Sequence, residues 1–528
     1  MAGLRGALEG VLPRERFADQ RDILGGAGQN VLGLVVGVLA TFATQVLMTR
    51  TLGAAVFGVV TLASQAAFVG SAATRFGMDM ASVRLVAILT GRGEHGRVRG
   101  LVQRAALVAL AVSAVVAVAV FLLAAPIGRT ITTIPGAGTG AFQAAALALP
   151  FAAVAWTYLG ATRGLKIMRH TLYIFWIGQP VGWIAFSLVG WLFAKTAGVT
   201  VMGYAASWAV AAVLAWWAWE RETRGFDARS DAGGIPEEHI GALLRFGGFR
   251  APAALFSQLL FWTDLFVLAM FASSHIVGVY SATVRTAQSV LLFLISLSLV
   301  FSPFVADLHA RGERERLDGL YKNVTRWALA ATLPVLLTLA ILPGPILRIF
   351  GEEFVQGKGA LLILIAGMLV PVSVGTVGFI LIMVGRTGWD LLVYAGSFVI
   401  DVGVAFFLAR PGRLGMQGAA LAQALTLTTS SVARLLLVRK FVGIWPFDRF
   451  FVRLVPPAVI GAGVMIGAHA VLPHAKWLID LGGSALLGVG AYGLAMLAFG
   501  VKPGERRVVL DLVGRVLGRK KAEAQAGG

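Results

Sequence analysis

The 528 residues are 58% apolar and 13% charged, with a mean hydropathy of +0.81, so there is too little polar sequence to cover the domains that a soluble chain of this length would form. With no cysteine, the chain has no disulfide, thiolate nucleophile or cysteine metal site, and its seven histidines show no ligand spacing such as HExxH. The net charge of +19 lacks an RNA-binding motif or aromatic platform beside it, which points to anionic lipid headgroups rather than nucleic acid.

Apolar runs recur from end to end, as membrane-spanning helices require. In chain order they predict about fourteen spans, near 24–48, 57–82, 103–124, 141–161, 172–194, 199–219, 249–271, 276–304, 325–346, 360–384, 389–409, 415–437, 453–472 and 477–500. The expected fold class is an all-α polytopic membrane protein. Alternating the sides of successive loops places 35 of the 45 Lys and Arg with the two termini and 8 opposite, leaving Arg75 and Arg285 inside spans. By the positive-inside rule both termini are expected in the cytoplasm, with the protein in the cell (inner) membrane. The segment 1–23 lacks a signal-cleavage pattern and is expected to remain as a cytoplasmic arm. In the basic tail, 501–528, Val509, Leu512, Val513, Val516 and Leu517 recur at helical spacing against Arg506, Arg507, Arg515 and Arg519. That pattern suits an interfacial helix or a solvated basic tail.

The chain also echoes itself. Arg92, Gly93, Glu94, Arg97, Gly100 and Leu101 match Arg311, Gly312, Glu313, Arg316, Gly319 and Leu320 at an offset of 219. Phe57–Thr61 parallels Val277–Ser281 at 220, Leu24–Gly26 parallels Phe246–Gly248 at 222, and Gly164–Lys166 falls opposite Gly385–Thr387 at 221. Four echoes in order predict a duplication: six-helix lobes at 24–219 and 249–437, related by a pseudo-two-fold along the membrane normal, joined by a cytoplasmic linker at 220–248. Two further helices, within 438–500, are an addition.

The motifs VGVYSATVRTAQ (277–288), RIFGEEFVQGKGALLILIAGMLV (348–370) and RPGRLGMQGAALAQALTLTTSSVARLLLVRKFVGIWPF (410–447) resemble the polysaccharide (Wzx-type) flippases of the multidrug/oligosaccharidyl-lipid/polysaccharide exporter (MOP) superfamily. The resemblance implies flipping of an undecaprenyl pyrophosphate-linked oligosaccharide to the outer leaflet for surface polysaccharide such as lipopolysaccharide O-antigen or exopolysaccharide, with possible coupling to H+ or Na+. It leaves open a lipid II flippase or a cation-coupled multidrug exporter, and it allows contact with polysaccharide biosynthesis proteins. No Walker loop, GxSxG or metal-spaced acid cluster is present, so no cofactor or catalytic role is expected. A membrane glycan polymerase or ligase is disfavoured, because no large outer loop exists to hold its chemistry.

Charges inside spans are costly unless they face a polar path or a partner, which directs attention to a few residues. Arg285, with Arg75 and Gln65, is the candidate for substrate phosphate, since a guanidinium makes paired hydrogen bonds to phosphoryl oxygens. Asp264 either pairs with Arg285 to fix packing or acts as an ion-responsive acid that releases it. Asp79 lies four residues from Arg75, as a gate contact or an interfacial ion pair. Asp401 has no local cation, and serves either ion coupling or packing. Gln45, Gln258, Gln288 and Trp262 are candidates for a sugar path. Pro150, Pro180, Pro334 and Pro371 fall inside spans and allow kinks.

Overall fold

In lipid every backbone N–H and C=O must be satisfied within the chain, so a sequence this apolar folds as helices packed on helices. The computed structural model describes residues 17–134, 136–226, 241, 248, 251–252, 255–256, 258–473 and 476–500, and among them there is no strand. The arm 1–23, the linker and the interfacial-tail expectation lie mostly or wholly outside the described residues.

The first half comprises α1 (Phe17–Thr74), α2 (Met78–Gly91), α3 (His95–Leu122), α4 (Ala124–Ile131), α5 (Ala137–Gly164), α6 (Gln179–Gly190) and α7 (Ala197–Glu222). A π-helical stretch, Thr171–Gly178, leads into α6. The second half comprises α8 (Thr263–Ala269), α9 (Ser274–Gln288), α10 (Leu291–Ala310), α11 (Arg314–Ile341), α12 (Lys358–Val374), α13 (Val377–Met383), α14 (Thr387–Leu408) and α15 (Gly415–Phe441). The hairpin of α16 (Val455–Val471) and α17 (Trp477–Ala495) packs on α11, where the Tyr492 hydroxyl donates to the Ala330 carbonyl at 2.7 Å.

Among the described residues eleven stretches are long and apolar enough to cross a membrane, against the fourteen expected. Three places account for the difference. The first two expected spans run together as α1, whose helical path is interrupted at Gly53, where φ is 72° and ψ is 168°. Residues 249, 250, 253, 254 and 257 of expected span 7 lie outside the described residues and its described helix is the short α8, and expected span 8 divides at Ser289–Val290 into α9 and α10. Expected span 2 also does not end at 82: it breaks at Phe76 and Gly77, both left-handed, and resumes as α2. Pro150, Pro334 and Pro371 lie inside α5, α11 and α12, and Pro180 follows directly on the π-helical stretch within one continuous helical run, Thr171–Gly190.

Two of the sequence echoes recur as the same local geometry. Arg92 (φ −91°, ψ −5°), Gly93 (φ 78°) and Glu94 (φ −81°, ψ 52°) join α2 to α3. Arg311 (φ −84°, ψ −7°), Gly312 (φ 71°) and Glu313 (φ −77°, ψ 61°) join α10 to α11. Each glutamate pairs with the arginine three residues on, Glu94 with Arg97 at 2.8 Å and Glu313 with Arg316 at 3.0 Å. The echo at Gly164–Lys166 needs a corrected register. The left-handed residues there are Lys166 (φ 64°) and Gly385 (φ 80°), so the turns coincide at an offset of 219 rather than 221.

The halves meet where α1 crosses α9, at the face opposite these arginine turns. A Cβ on Gly58 would collide with the Ser274 carbonyl, and one on Gly278 would collide with the Ala54 carbonyl. Ala54 and Gly58 stand at the same offset of 220 from Ser274 and Gly278, so each small-xxx-small pair seats the other, the reciprocity a two-fold relation produces. Polar contacts tighten the crossing. Arg50 donates to the carbonyls of Ile349 at 2.9 Å and Arg348 at 2.5 Å. Thr133 N–H donates to Ser274 Oγ, and Ser274 N–H to Thr133 Oγ1, both at 3.0 Å. Because the helix restarts after Gly53, Ala54 N–H has no partner of its own, and Glu353 Oε1 of the other half accepts from it at 2.7 Å.

Forcing side chains into this crossing separates the two halves. Gly58→Leu and Gly278→Leu are expected to lower the melting temperature of the detergent-solubilised protein, by roughly 1–3 kcal/mol of overpacking strain each. Gly463→Leu, at a position with open space beside it, is the control and leaves the melting temperature unchanged in the same fluorimetric assay.

Candidate functional site

The acids and the cation flagged in the second half are distributed over three helices. Asp264, in the first turn of α8, is fully buried; its Oδ2 accepts the Tyr280 hydroxyl of α9, and its Oδ1 has no partner. Asp401, midway along α14, is also fully buried; its Oδ1 accepts from Thr426 Oγ1 of α15 at 3.2 Å, and its Oδ2 has no partner. The two carboxylates lie within electrostatic reach of each other, and Tyr280 within reach of both. Gln423, one turn before Thr426 on α15, donates to the Phe261 carbonyl at 3.4 Å and keeps its Oε1 unpartnered. Asp264 Oδ1, Asp401 Oδ2 and Gln423 Oε1 are therefore buried acceptors without donors. Such a set of hard oxygens suits a proton or a small hard cation.

Arg285 does not join this group. In the last turn of α9 it is half-buried, its guanidinium stands 4.2 Å from the Trp262 ring centroid, and among the described residues no acid lies within ion-pair distance. The packing pair between Asp264 and Arg285 is not formed; Tyr280 occupies the carboxylate instead. Trp262, expected along a sugar path, is the cation–π partner of Arg285 and is buried. Across the junction of the halves, Tyr204 of α7 lies within electrostatic reach of Arg285. The glutamines are not gathered into one place. Gln45 and Gln65 are buried with unpartnered Oε1 atoms, Gln288 is half-buried with an unpartnered Nε2, and Gln258 is half-buried with no bond joining it to the others.

In the first half, Arg75 Nε stands 3.5 Å from Asp79 Oδ2, both side chains being buried, so the expected pair is formed as a packed contact. The sequence missed their neighbours Arg163 and Trp156. It also counted Arg163, Arg326 and Arg434 with the basic loops. Arg326 and Arg434 are buried in the bundle, Arg434 donating to Asp390 at 2.8 Å and standing 4.1 Å from the Tyr394 ring. Tyr280, Thr426 and Gln423 were missed as well, although the three-residue spacing of the last two on one helix face was a readable signal. Among the described residues no three His, Cys, Asp or Glu come together as a metal site.

This arrangement of long apolar helices in two halves with scattered buried charge is that of a membrane transporter fold, as comparison with known proteins shows. A family model described as Polysaccharide biosynthesis protein matches residues 23–309, more than half of the chain, and the chain belongs to that family. No curated protein sequence matches the chain. Solved structures share its fold at low identity. The lipid II flippase MurJ in its inward closed conformation superposes with a TM-score of 0.67 at 13% identity, covering 89% of this chain and 98% of that one. An inward-facing multidrug resistance MATE family transporter of the MOP superfamily gives 0.64 at 15%, covering 77% and 94%. A MOP superfamily transporter from Pyrococcus furiosus gives 0.53 at 15%, covering 79% and 96%. The expected superfamily resemblance is upheld, and the family and fold are those of transporters and flippases.

Removing the Tyr280 hydroxyl strips a buried carboxylate of its donor. Tyr280→Phe is expected to lower stability by about 1–3 kcal/mol in thermal melts, and to cost little when Asp264 is already replaced by Leu, since the orphaned acceptor is then gone.

Proposed function

We propose that the protein is a flippase that carries a polyprenyl (undecaprenyl) diphosphate-linked oligosaccharide from the cytoplasmic to the outer leaflet of the inner membrane, coupled to a cation. The observation that carries this reading is Arg285, a half-buried guanidinium within the bundle that has no acid at ion-pair distance among the described residues, placed on an aromatic ring at the junction of the halves. A buried cation without a counter-charge is costly, and a substrate phosphate supplies one. The basic face is taken as cytoplasmic. On that basis the clasp at Gly58, Gly278, Thr133 and Glu353 closes the outer side, leaving the substrate path to open from the cytoplasm, and rocking of the halves would alternate access.

The buried acids supply the coupling. Two carboxylates within reach of each other and shielded from water need a shared proton or a bound cation between them, and the unpartnered Gln423 Oε1 adds a ligand. Binding there ties α8, α14 and α15 together around Tyr280 on α9, the helix that also carries Arg285 and forms the outer clasp. That continuity gives the ion a lever on the closed state.

In a deletion strain, lipid-linked oligosaccharide is expected to accumulate on the cytoplasmic leaflet, restored by the wild-type gene and not by Arg285→Ala, with Arg285→Lys intermediate. Surface glycan that stays normal while drug sensitivity rises would favour the multidrug exporter, and accumulation of lipid II a flippase for that substrate. In proteoliposomes, Asp264→Asn and Asp401→Asn are each expected to abolish the stimulation of flipping by an imposed H+ or Na+ gradient. Stimulation that persists in both variants would remove the coupling role.

A further inference from the structure

A second cationic cluster sits at the basic face of the first half. The segment of α1 from Ala54 to Thr74 rises about 31 Å, roughly the thickness of the hydrocarbon core, so Arg75 lies at the far edge of the membrane from the clasp. There the left-handed Phe76 and Gly77 break the helix before α2 begins. On α5, Gly160 and Gly164 form a GxxxG pair that admits the backbone of α2. A Cβ on Gly160 would collide with the Asp79 carbonyl, and one on Gly164 would stand 2.8 Å from the Val83 carbonyl. Between those glycines, Arg163 is brought beside Asp79 and Arg75. The two guanidiniums lie 5.0 and 5.8 Å from the centroid of one ring, Trp156.

The charges here do not balance. Asp79 is the acid facing Arg75, and among the described residues Arg163 has no acid within ion-pair distance; its Nε donates to the Leu159 carbonyl at 3.3 Å. Arg75 Nε, Arg163 Nη2, Trp156 Nε1, Thr74 Oγ1 and Ser82 Oγ are all buried without hydrogen-bond partners. Arg75 is 8% exposed, Thr74 4% and Ser82 0%, so water does not satisfy them. Two arginines, one carboxylate and several idle donors leave one positive charge over, which an anion with several acceptor oxygens would neutralise. The cluster is also continuous with Arg285. Trp156 packs on Trp208 at 6.4 Å, Trp208 on Tyr204 at 6.2 Å, and Tyr204 lies within electrostatic reach of Arg285.

We propose that Arg75 and Arg163, flanking Trp156, form a loading site that takes the phosphate of a lipid-linked substrate from the leaflet at the basic face before it reaches Arg285. The substrate identity rests on the flippase reading above; the anion site rests on the geometry alone. Asp79 acts as a positioning residue, holding Arg75 from its Nε side at 3.5 Å.

The test uses the full-length protein in detergent with Arg285→Ala in place, so that the central arginine does not contribute, and titrates farnesyl diphosphate as the probe. Binding is expected to weaken at least tenfold on adding Arg163→Gln or Arg75→Gln, and to survive in part with Arg163→Lys. Inorganic pyrophosphate is expected to compete, and excess phosphatidylglycerol is not. Unchanged affinity in both glutamine variants would overturn the site, and displacement by phosphatidylglycerol as readily as by pyrophosphate would reassign it to bulk anionic lipid. Monodisperse elution checks folding; should a glutamine variant fail it, Arg163→Lys and Trp156→Phe carry the comparison, with undiminished binding in both counting against the site. A deletion strain without accumulated glycolipid would sink the flippase reading while leaving this binding result in force.

Discussion

The near-contact of two backbones, at Gly58 on α1 and Gly278 on α9, is the constraint from which the arrangement of the halves follows. Lipid offers no hydrophobic drive for helices to associate, so close backbone approach and polar contacts must supply it. Each glycine faces a carbonyl four residues upstream of the other, and neither position has room for a methyl group. The crossing fixes one end of the molecule, and it fixes α9 in particular. That helix carries Tyr280 toward the buried acids and Arg285 toward the first half, so three features with different chemistry share one rigid element.

The two buried clusters carry opposite imbalances. Around Asp264, Asp401 and Gln423 the unpartnered atoms are acceptors. Around Arg75, Arg163 and Trp156 the unpartnered nitrogens are donors. Opposite imbalances of this kind are expensive inside a membrane when static, and they become useful when a mobile cation and a mobile anion complete them in turn. Where balance is reached internally, as between Arg434 and Asp390, the pair reads as structural, and Tyr394 covers the guanidinium.

Much of the fold was legible because the bilayer imposes a length and a polarity on every span, and because the echoed turns carry charge that apolar sequence does not hide. The geometry of Arg311–Glu313 repeats that of Arg92–Glu94, as the matching residues lead one to expect. What failed did so for physical reasons. The breaks at Phe76, Ser289 and Gly375 interrupt helices whose hydropathy is continuous, so composition does not mark them. Asp264 and Arg285 were candidates for one another because they lie at similar depth, and depth alone does not say which face of a helix a side chain takes. Asp264 and Asp401 were each singled out, but their proximity depends on how α8 and α14 pack, which a single sequence does not state. Arg163 was counted as a loop charge because its helix runs on to Gly164, past the expected end at 161; Arg326 and Arg434 were counted with the loops as residues near span ends, whereas α11 begins at Arg314 and α15 runs to Phe441, which sets both well inside helices.

Glu353 gives the clasped face a bias of its own. Its carboxylate caps Ala54 N–H, the first donor of a helix that restarts after Gly53, and it belongs to the other half of the molecule. Parting the halves at that face would therefore leave a helix end bare as well as break a contact. A cap of this kind contributes about 0.5–2 kcal/mol, which corresponds to a roughly two-fold to thirty-fold preference for the closed arrangement. The resting population is thus set partly by one carboxylate at the rim, and the deeper sites have that preference to overcome before the clasped face can open.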